Sequence, residues 1–123
     1  MIEQSGRQVI FVFGSNLAGR HGAGAALHAL KHKGAVLGVG VGLRGRSYAI
    51  PTKDERLRTL PLARIKPYVD AFVLFARCHP EMQFEVTRVG CGLAGYADHN
   101  MAPMFRHSPS NCILPVTWID WVA

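Results

Sequence analysis

The sequence predicts an α/β fold, a layered sheet whose strands alternate with helices in one domain spanning residues 1–123. Two observations predict it. Short runs rich in β-branched and aromatic residues alternate with stretches of helical periodicity, and a glycine-rich loop follows each of two such runs. The chain of 123 residues is long enough for one hydrophobic core and short for two. Its 49% hydrophobic and 18% charged residues exclude a disordered or fibrous chain.

The first predicted strand is RQVIFVF, residues 7–13, which carries no charge after its first residue and is typical of a strand buried on both faces. A helix is predicted from about Gly22 to Lys33, because apolar residues recur at helical spacing and Gly34 is a typical stop. The glycine-rich segment that follows, up to residue 45, is predicted to be a loop that closes on a ligand or a neighbour. Strand character resumes in RSYAI, residues 46–50.

A second helix is predicted from the apolar residues that recur at helical spacing from Leu62 onward, and it is expected to end near His79 and Pro80. Pro67 lies inside that pattern, where a proline removes a hydrogen bond and crowds the preceding turn. A start near residue 66 would put Pro67 in the first turn, where proline is tolerated. The sequence therefore favours the later start.

Three further elements are predicted in the last third of the chain. The first is a strand, FEVTRV, residues 84–89, which leads into the second glycine loop. The second is a short amphipathic segment that Asp98 caps and that runs to about Arg106. The chain closes with a strand and an apolar tail in CILPVTWIDWV, residues 112–122.

The charge balance indicates partners that carry phosphate. Lys and Arg outnumber Asp and Glu by 14 to 8, and such an excess attracts anions. Because these charges are scattered along the sequence, direct nucleic-acid binding stays open as a third function behind two stronger hypotheses. The apolar runs are far shorter than the roughly 20 residues of a membrane span, and the N-terminus has no leader pattern. The sequence therefore predicts a cytoplasmic protein without a membrane partner.

The cysteines and histidines do not predict a metal site or a cofactor. Cys78, Cys91 and Cys112 lack the CxxC spacing of a thiolate zinc site, and their odd number does not indicate a disulfide framework. His28 and His32 lie one helical turn apart, but no third ligand accompanies them. These two histidines are interpreted as a solvated helix face.

Two glycine loops predict the binding site. GSNLAGRHGAGAA, residues 14–26, and VGCGLAGY, residues 89–96, each follow a predicted strand, so both are expected at the same sheet edge. Glycines there allow backbone N–H groups to converge on an anion, and a helix start adds partial positive charge. A diphosphate fits between two such loops. The spacing matches neither the dinucleotide-binding fingerprint nor the Walker motif, which disfavours NAD domains and P-loop enzymes.

These two loops, together with YAIPTKD at residues 48–54, resemble the macrodomain family. Within that family the chain is most similar to the class of the terminal ADP-ribose glycohydrolase and of the antitoxins that remove ADP-ribose from DNA. The resemblance covers roughly residues 8–115. It implies a three-layer α/β/α macrodomain-like fold with a central mixed sheet. It also implies binding of ADP-ribose or a related nucleotide diphosphate, and hydrolysis of an ADP-ribosyl linkage on protein or nucleic acid.

The resemblance also implies roles for single residues. Lys53 would attack the anomeric carbon of the distal ribose, for which its amine must be neutral, and Asn16 would orient that ribose. Ala94 stands where the family has its catalytic aspartate. Asp98, four residues later, and Asp54, beside the lysine, are candidate replacements from their positions in the sequence, and the family pattern assigns neither. The residues expected to bind the ligand, with Tyr96 as a lid, are Gly14, Ser15, Asn16, His21, Gly22, Ala23, Gly24, Ala25, Thr52, Gly90, Cys91, Gly92, Leu93, Ala94, Gly95 and Tyr96.

Structural alternatives stand beside these roles. The alternative for Asn16 is to stabilise its own turn through backbone hydrogen bonds, although the neighbouring GAGAA favours the ligand role. A lysine after a strand, such as Lys53, is commonly a solvated charge. Glu3 is the one candidate for the acidic contact to adenine that many macrodomains make. Because Ala94 removes the family's acid, a non-catalytic module that binds ADP-ribose or an NAD-derived signal is the alternative to a hydrolase.

Overall fold

A computed structural model describes residues 6–122 and contains a five-stranded mixed sheet with helices packed on both faces. The strands are β1 (Gln8–Asn16), β2 (Gly42–Arg44), β3 (Ser47–Lys53), β4 (Met82–Val86) and β5 (Cys112–Ile113). The helices are α1 (Gly24–His32), α2 (Leu62–Cys78), α3 (Asp98–Met101) and α4 (Ile119–Val122), with 3-10 turns at Ala102–Phe105 and Val116–Trp118. The prediction of an α/β fold with a mixed sheet is confirmed.

The apolar strand β1 occupies the centre of the sheet, whose order is β2-β3-β1-β4-β5. It pairs in parallel with β3 on one side and with β4 on the other, while β2 runs antiparallel to β3 at one edge. Successive side chains of β1 point to opposite faces, so Ile10 and Val12 join one core and Phe13 joins the other. Because both faces of β1 are buried, its side chains must be apolar on both sides, which explains the nearly continuous hydrophobic run at residues 8–13.

The larger core lies between the sheet and α2. Phe72 of α2 is fully buried, and its ring contacts Tyr48, Phe84 and Phe105 at centroid distances of 5.1, 5.5 and 6.2 Å. These rings come from β3, from β4 and from the 3-10 turn after α3, so one side chain ties three parts of the chain together. Aromatic pairs of this kind contribute about 0.5–1.5 kcal/mol each beyond the area they bury.

The smaller core lies on the opposite face, beneath α1. It consists of Phe13 and the alanines at positions 26, 29, 35 and 49. Small side chains allow α1 to approach the sheet closely, and they leave this helix layer thin. Since α1 and α2 cover opposite faces, the described residues form three layers, helix, sheet and helix, around β1.

The start of α2 differs from the prediction. The helix begins at Leu62, after Pro61, so Pro67 is its sixth residue and lies beyond the first turn. The buried positions Ile65 and Val69 belong to the face that packs on the sheet, which keeps the early turns helical. Pro67 is exposed, and water can therefore bind the carbonyl group that its missing N–H leaves unpaired. Among residues 6–122 no helix, α2 with its 17 residues included, is long and apolar enough to cross a membrane.

The glycine-rich segment after α1 packs on its neighbour, the first glycine loop. The Gly38 N–H donates to the Gly19 carbonyl at 2.9 Å, and a Cβ added at Gly40 would lie 1.9 Å from the Asn16 carbonyl oxygen. No side chain fits at that contact, which explains the glycine at position 40. The prediction treated all of this segment as a loop and missed β2, which pairs with β3 over Gly42–Arg44.

Candidate functional site

A cavity of about 740 Å³ opens at the carboxyl ends of the neighbouring strands β3, β1 and β4. Both glycine loops contribute to its wall, and they meet at its floor, where a Cβ added to Gly14 would lie 3.3 Å from the Gly90 amide nitrogen. The expectation that the two loops emerge at one edge therefore holds. The residues that line the cavity are Gly14, Ser15, Asn16, Arg20, Gly22, Ala23, Gly24, Ala25, Ala26, Thr52, Lys53, Leu57, Thr87, Arg88, Val89, Gly90, Cys91, Gly92, Leu93 and Ala94.

The side chain of Asn16 closes the first loop. Its Nδ2 donates to the Arg20 carbonyl at 2.7 Å, and its Oδ1 accepts from the Arg20 backbone N–H at 2.9 Å. This is the turn-stabilising role that the sequence left as an alternative. Asn16 still lines the cavity, with 8% of its surface exposed, and Nδ2 keeps a second hydrogen that these bonds do not use.

His21 is outside the cavity lining, and its contact with phosphate stays a prediction. The side chain is 0% exposed and packs edge-on against Phe13 at 5.5 Å. Its Nε2 lies 3.0 Å from the Val36 carbonyl oxygen and 3.1 Å from that of Val39, so it acts as the donor to both. His21 thus pins the segment after α1 onto the first loop.

The first turn of α1 presents uncapped N–H groups at the cavity wall. Ala23 is the N-cap residue and has no side chain that can accept a hydrogen bond from this turn. The Leu27 N–H makes the first helical bond, to the Ala23 carbonyl at 3.2 Å, so the N–H groups of the preceding residues lack partners within the helix. With the glycines at positions 22 and 24 lining the cavity, an anion can approach this positive helix end closely.

The second loop is a tight pair of turns. The Cys91 N–H donates to the Arg88 carbonyl at 3.0 Å, and the Gly95 N–H donates to the Gly92 carbonyl at 3.0 Å. Gly90 has a φ of 78° and packs on the Met101 side chain, where an added Cβ would lie 2.8 Å from Sδ. Residues 90–94 line the cavity, whereas Gly95 is outside the lining, and its ligand contact stays a prediction.

Tyr96 is also outside the lining, and its role as a lid stays a prediction. Its hydroxyl donates to the Leu60 carbonyl at 2.6 Å, and its half-buried ring packs against the larger core. The ring therefore fixes the base of the second loop. Thr59 holds the same loop from the β3 side, because its hydroxyl donates to the Ala94 carbonyl at 2.9 Å.

Lys53 ends β3 and lines the cavity. Its half-buried side chain makes no hydrogen bond or ion pair with any residue between 6 and 122, so its amine is available to a ligand. Its neighbour Thr52 is buried, and the Thr52 hydroxyl donates to the Ser15 carbonyl at 3.3 Å. The Ser15 hydroxyl in turn donates to the Gly40 carbonyl, so these two hydroxyls hold the strand ends in place.

Asp98 lies behind the second loop and outside the cavity lining, and its role as the catalytic acid stays a prediction. Its carboxylate accepts from Arg88 Nε at 2.9 Å, from Arg88 Nη2 at 3.0 Å and from the Trp118 indole N–H at 2.7 Å. The bonds from Arg88 first, and then from Trp118, hold the pKa of Asp98 below its ordinary value. Asp98 is not the helix cap, since the N-cap residue of α3 is Ala97. Its role is to anchor Arg88.

Asp54 is likewise occupied. Its Oδ1 accepts from the backbone N–H groups of Arg56 and Arg58 at 2.8 and 2.9 Å, and its Oδ2 pairs with Arg58 Nε at 3.1 Å. The backbone bond from Arg58 is the largest cause of its lowered pKa. These bonds close a turn that presents Leu57 to the cavity with a φ of 63°, a left-handed conformation that leucine rarely adopts.

Sequence reasoning missed several lining residues, of which Arg20, Leu57 and Arg88 matter most. Arg20 lies within the first glycine loop and Arg88 directly precedes the second, and these positions in the sequence could have identified both as lining residues. The charged lining residues are Arg20, Lys53 and Arg88, and no carboxylate from the described part of the chain lines the cavity. Burial raises the pKa of Cys91 to about 11, with the hydrogen bond to Asp98 as the next cause, so this thiol stays neutral. Arg88 is paired with Asp98 behind the second loop, so Arg20 and Lys53 are the lining cations without an ion pair among residues 6–122, and this lining suits an anion.

Within residues 6–122 no group of three histidine, cysteine or acidic side chains is placed to hold a metal ion. Glu3, the candidate contact for adenine, lies outside the described residues. Comparisons with protein-family models, with curated proteins and with solved structures give no match to this chain.

Proposed function

We propose that the protein binds ADP-ribose, or a related nucleotide diphosphate, in the cavity between the two glycine loops. One observation carries this proposal. Arg20, Lys53 and Arg88, together with the uncapped start of α1, surround a cavity into which no described carboxylate projects. A diphosphate satisfies both the positive side chains and the main-chain N–H groups. The volume of about 740 Å³ lies in the range of small-ligand sites. The macrodomain resemblance of the loops supports ADP-ribose as the particular diphosphate.

Hydrolysis of an ADP-ribosyl linkage on protein or nucleic acid is the second candidate, and the position of Lys53 favours it. A neutral Lys53 amine would attack the anomeric carbon, and the acceptor would leave with the electron pair of the broken bond and take up a proton. Water would then release ADP-ribose from the lysine. The described cavity lining supplies no carboxyl or imidazole group to transfer those protons. Binding without turnover is accordingly the function that the geometry supports best.

The cellular setting belongs to the same proposal. Cys78, Cys91 and Cys112 are all free thiols, which is usual in the reducing cytoplasm. We therefore place the protein there.

Calorimetric titration with ADP-ribose tests the binding proposal. We expect wild type to bind, and Arg20→Gln, which removes a lining cation without an ion pair among residues 6–122, to bind on the order of tenfold or more weakly because a charge-assisted hydrogen bond is lost. Arg64→Gln is the matched control, since Arg64 is an exposed cation outside the cavity. Failure of wild type to bind ADP-ribose at millimolar concentration would refute the proposal.

Incubation with ADP-ribosylated DNA and with ADP-ribosylated protein separates the two candidates. If the protein is a binding module, neither wild type nor Lys53→Ala releases ADP-ribose. Release by wild type and not by Lys53→Ala would establish the hydrolase and assign the nucleophile.

A further inference from the structure

The excess positive charge of the chain is confined to its N-terminal part. Residues 4–53 contain seven Lys and Arg residues and no Asp or Glu, whereas residues 54–123 contain seven of each kind. Two of the seven cations, Arg20 and Lys53, line the cavity. Four of the others, at positions 31, 33, 44 and 46, lie at the opposite end of α1 and β3.

The fold joins these four cations into one surface. The Arg46 N–H donates to the Lys33 carbonyl at 2.9 Å, and Arg46 Nη2 donates to the His32 carbonyl at 3.2 Å. The main chain of Gly34 touches that of Gly45, where an added Cβ would lie 2.9 Å from the Gly34 Cα. The last turn of α1 is thereby fixed against the turn between β2 and β3. We call the surface formed by Lys31, His32, Lys33, Arg44 and Arg46 the basic surface.

The side chains of the basic surface are accessible. Lys31, His32 and Arg44 are exposed, and Lys33 and Arg46 are half-buried. No salt bridge in residues 6–122 involves any of these side chains, and neither arginine binds a side chain; their guanidinium groups meet only main-chain carbonyls. Within the described residues these charges therefore have no ion-pair partner.

Three rings continue the basic surface along α1: those of His28 and His32 are exposed, and that of Phe11 is half-buried against the smaller core. His28 is exposed and lies between His32 and Phe11, with ring centroids 5.0 Å from each. Glu85, the register neighbour of Phe11 on β4, bounds this row of rings on its far side. Cations that follow a phosphate backbone, combined with rings on which unpaired bases stack, are the features by which proteins hold single strands.

We propose that the basic surface and the adjoining rings bind single-stranded nucleic acid. Nine residues of α1, about 13 Å at the rise of a helix, separate this site from the cavity, so it is a second site and does not depend on ADP-ribose binding. Because four cations can each neutralise a phosphate, affinity must fall steeply with salt, by about 50-fold between about 50 and about 200 mM.

The test is fluorescence anisotropy with a labelled single strand of mixed sequence, about 12 nucleotides long. Lys31→Gln/Arg44→Gln removes two exposed cations, and we expect affinity at about 50 mM salt to drop on the order of tenfold or more and the salt dependence to fall to about sevenfold. Arg56→Gln/Arg64→Gln makes the same change in net charge at exposed positions in the other half of the chain and should stay within about twofold of wild type.

Equal losses in the two double variants would reduce the effect to net charge and overturn the proposal. Three other results would also overturn the proposal. Wild type does not bind the single strand, it binds a duplex of the same length more tightly, or it binds only vesicles of phosphatidylcholine and phosphatidylserine. Thermal melting of both variants checks that they are folded. The outcome is separable from the cavity, because Lys31→Gln/Arg44→Gln should bind ADP-ribose as wild type does.

Discussion

The replacement Gly40→Ala tests how the segment after α1 supports the cavity. The new methyl group would lie 1.9 Å from the Asn16 carbonyl oxygen and 3.0 Å from the carbonyl carbon, so one of the two segments must move by more than 1 Å. Overpacking of this kind costs about 1–3 kcal/mol. Movement also disturbs the buried hydrogen bond from Ser15 to the Gly40 carbonyl, worth about 1 kcal/mol. We therefore expect a loss of about 2–4 kcal/mol in the free energy of unfolding.

For a chain of 123 residues each kcal/mol lowers the melting temperature by about 4 °C, so Gly40→Ala should melt about 8–16 °C below wild type. Calorimetry measures this directly. Gly22→Ala is the matched control, because a Cβ there meets nothing within 4 Å; it should melt within about 4 °C of wild type. A Gly40→Ala protein that melts as Gly22→Ala does would refute the described packing of this segment on the first loop.

Three further outcomes follow from the described contacts. Asn16→Asp places a carboxylate against the Arg20 carbonyl and inside the cavity proposed to bind a diphosphate, so both the melting temperature and the affinity for ADP-ribose should fall; unchanged affinity would separate Asn16 from the ligand. Folding lowers the pKa of Asp98. Its stabilising contribution to the free energy of unfolding is therefore complete above the unfolded-state pKa of about 3.9, and it is lost as the pH falls through the folded-state pKa. In urea titrations Asp98→Asn should be less stable than wild type at neutral pH, and the difference in their free energies of unfolding should narrow below about pH 4. Equal stability of the two proteins at neutral pH would contradict this role of Asp98. Iodoacetamide at pH 8 should modify the exposed Cys78 within minutes, and it should modify Cys91 and Cys112, each with a pKa raised by burial to about 11, far more slowly. Peptide mass spectrometry measures the three rates, and equal rates would contradict the described burial of Cys91 and Cys112.

Much of the fold was predictable because its largest elements carry local signals. The apolar run of β1, the helical periodicity of α2 and the glycines after β1 and β4 each identify an element, and the rule for parallel strands brings the two loops together. The strand β2 was not predictable, since its three residues have little strand character and depend on pairing with β3. The start of α2 was placed too late because the pattern at Pro67 does not show that this residue faces water.

The candidate site was predictable as a location and less so residue by residue. Whether a polar side chain faces the cavity or the protein depends on distances between segments remote in sequence. His21 turns away from the cavity to reach two carbonyls about 15 residues later, and Asp98 turns to Arg88 and Trp118. Local sequence carries no information on such partners. The left-handed Leu57 is a similar case, because the turn that Asp54 closes imposes its conformation.

The central position of β1 has a consequence for biosynthesis. This strand leaves the ribosome first among the strands, yet its partners end only at Lys53 and Val86. At ordinary translation speeds the second partner follows roughly 4–14 s after β1 is complete. Until β3 is complete, roughly 2–7 s after β1, both edges of this apolar strand are open, and the edge that pairs with β4 stays open for the whole interval. Residues 8–13 are thus the segment on which a chaperone that captures nascent chains would act.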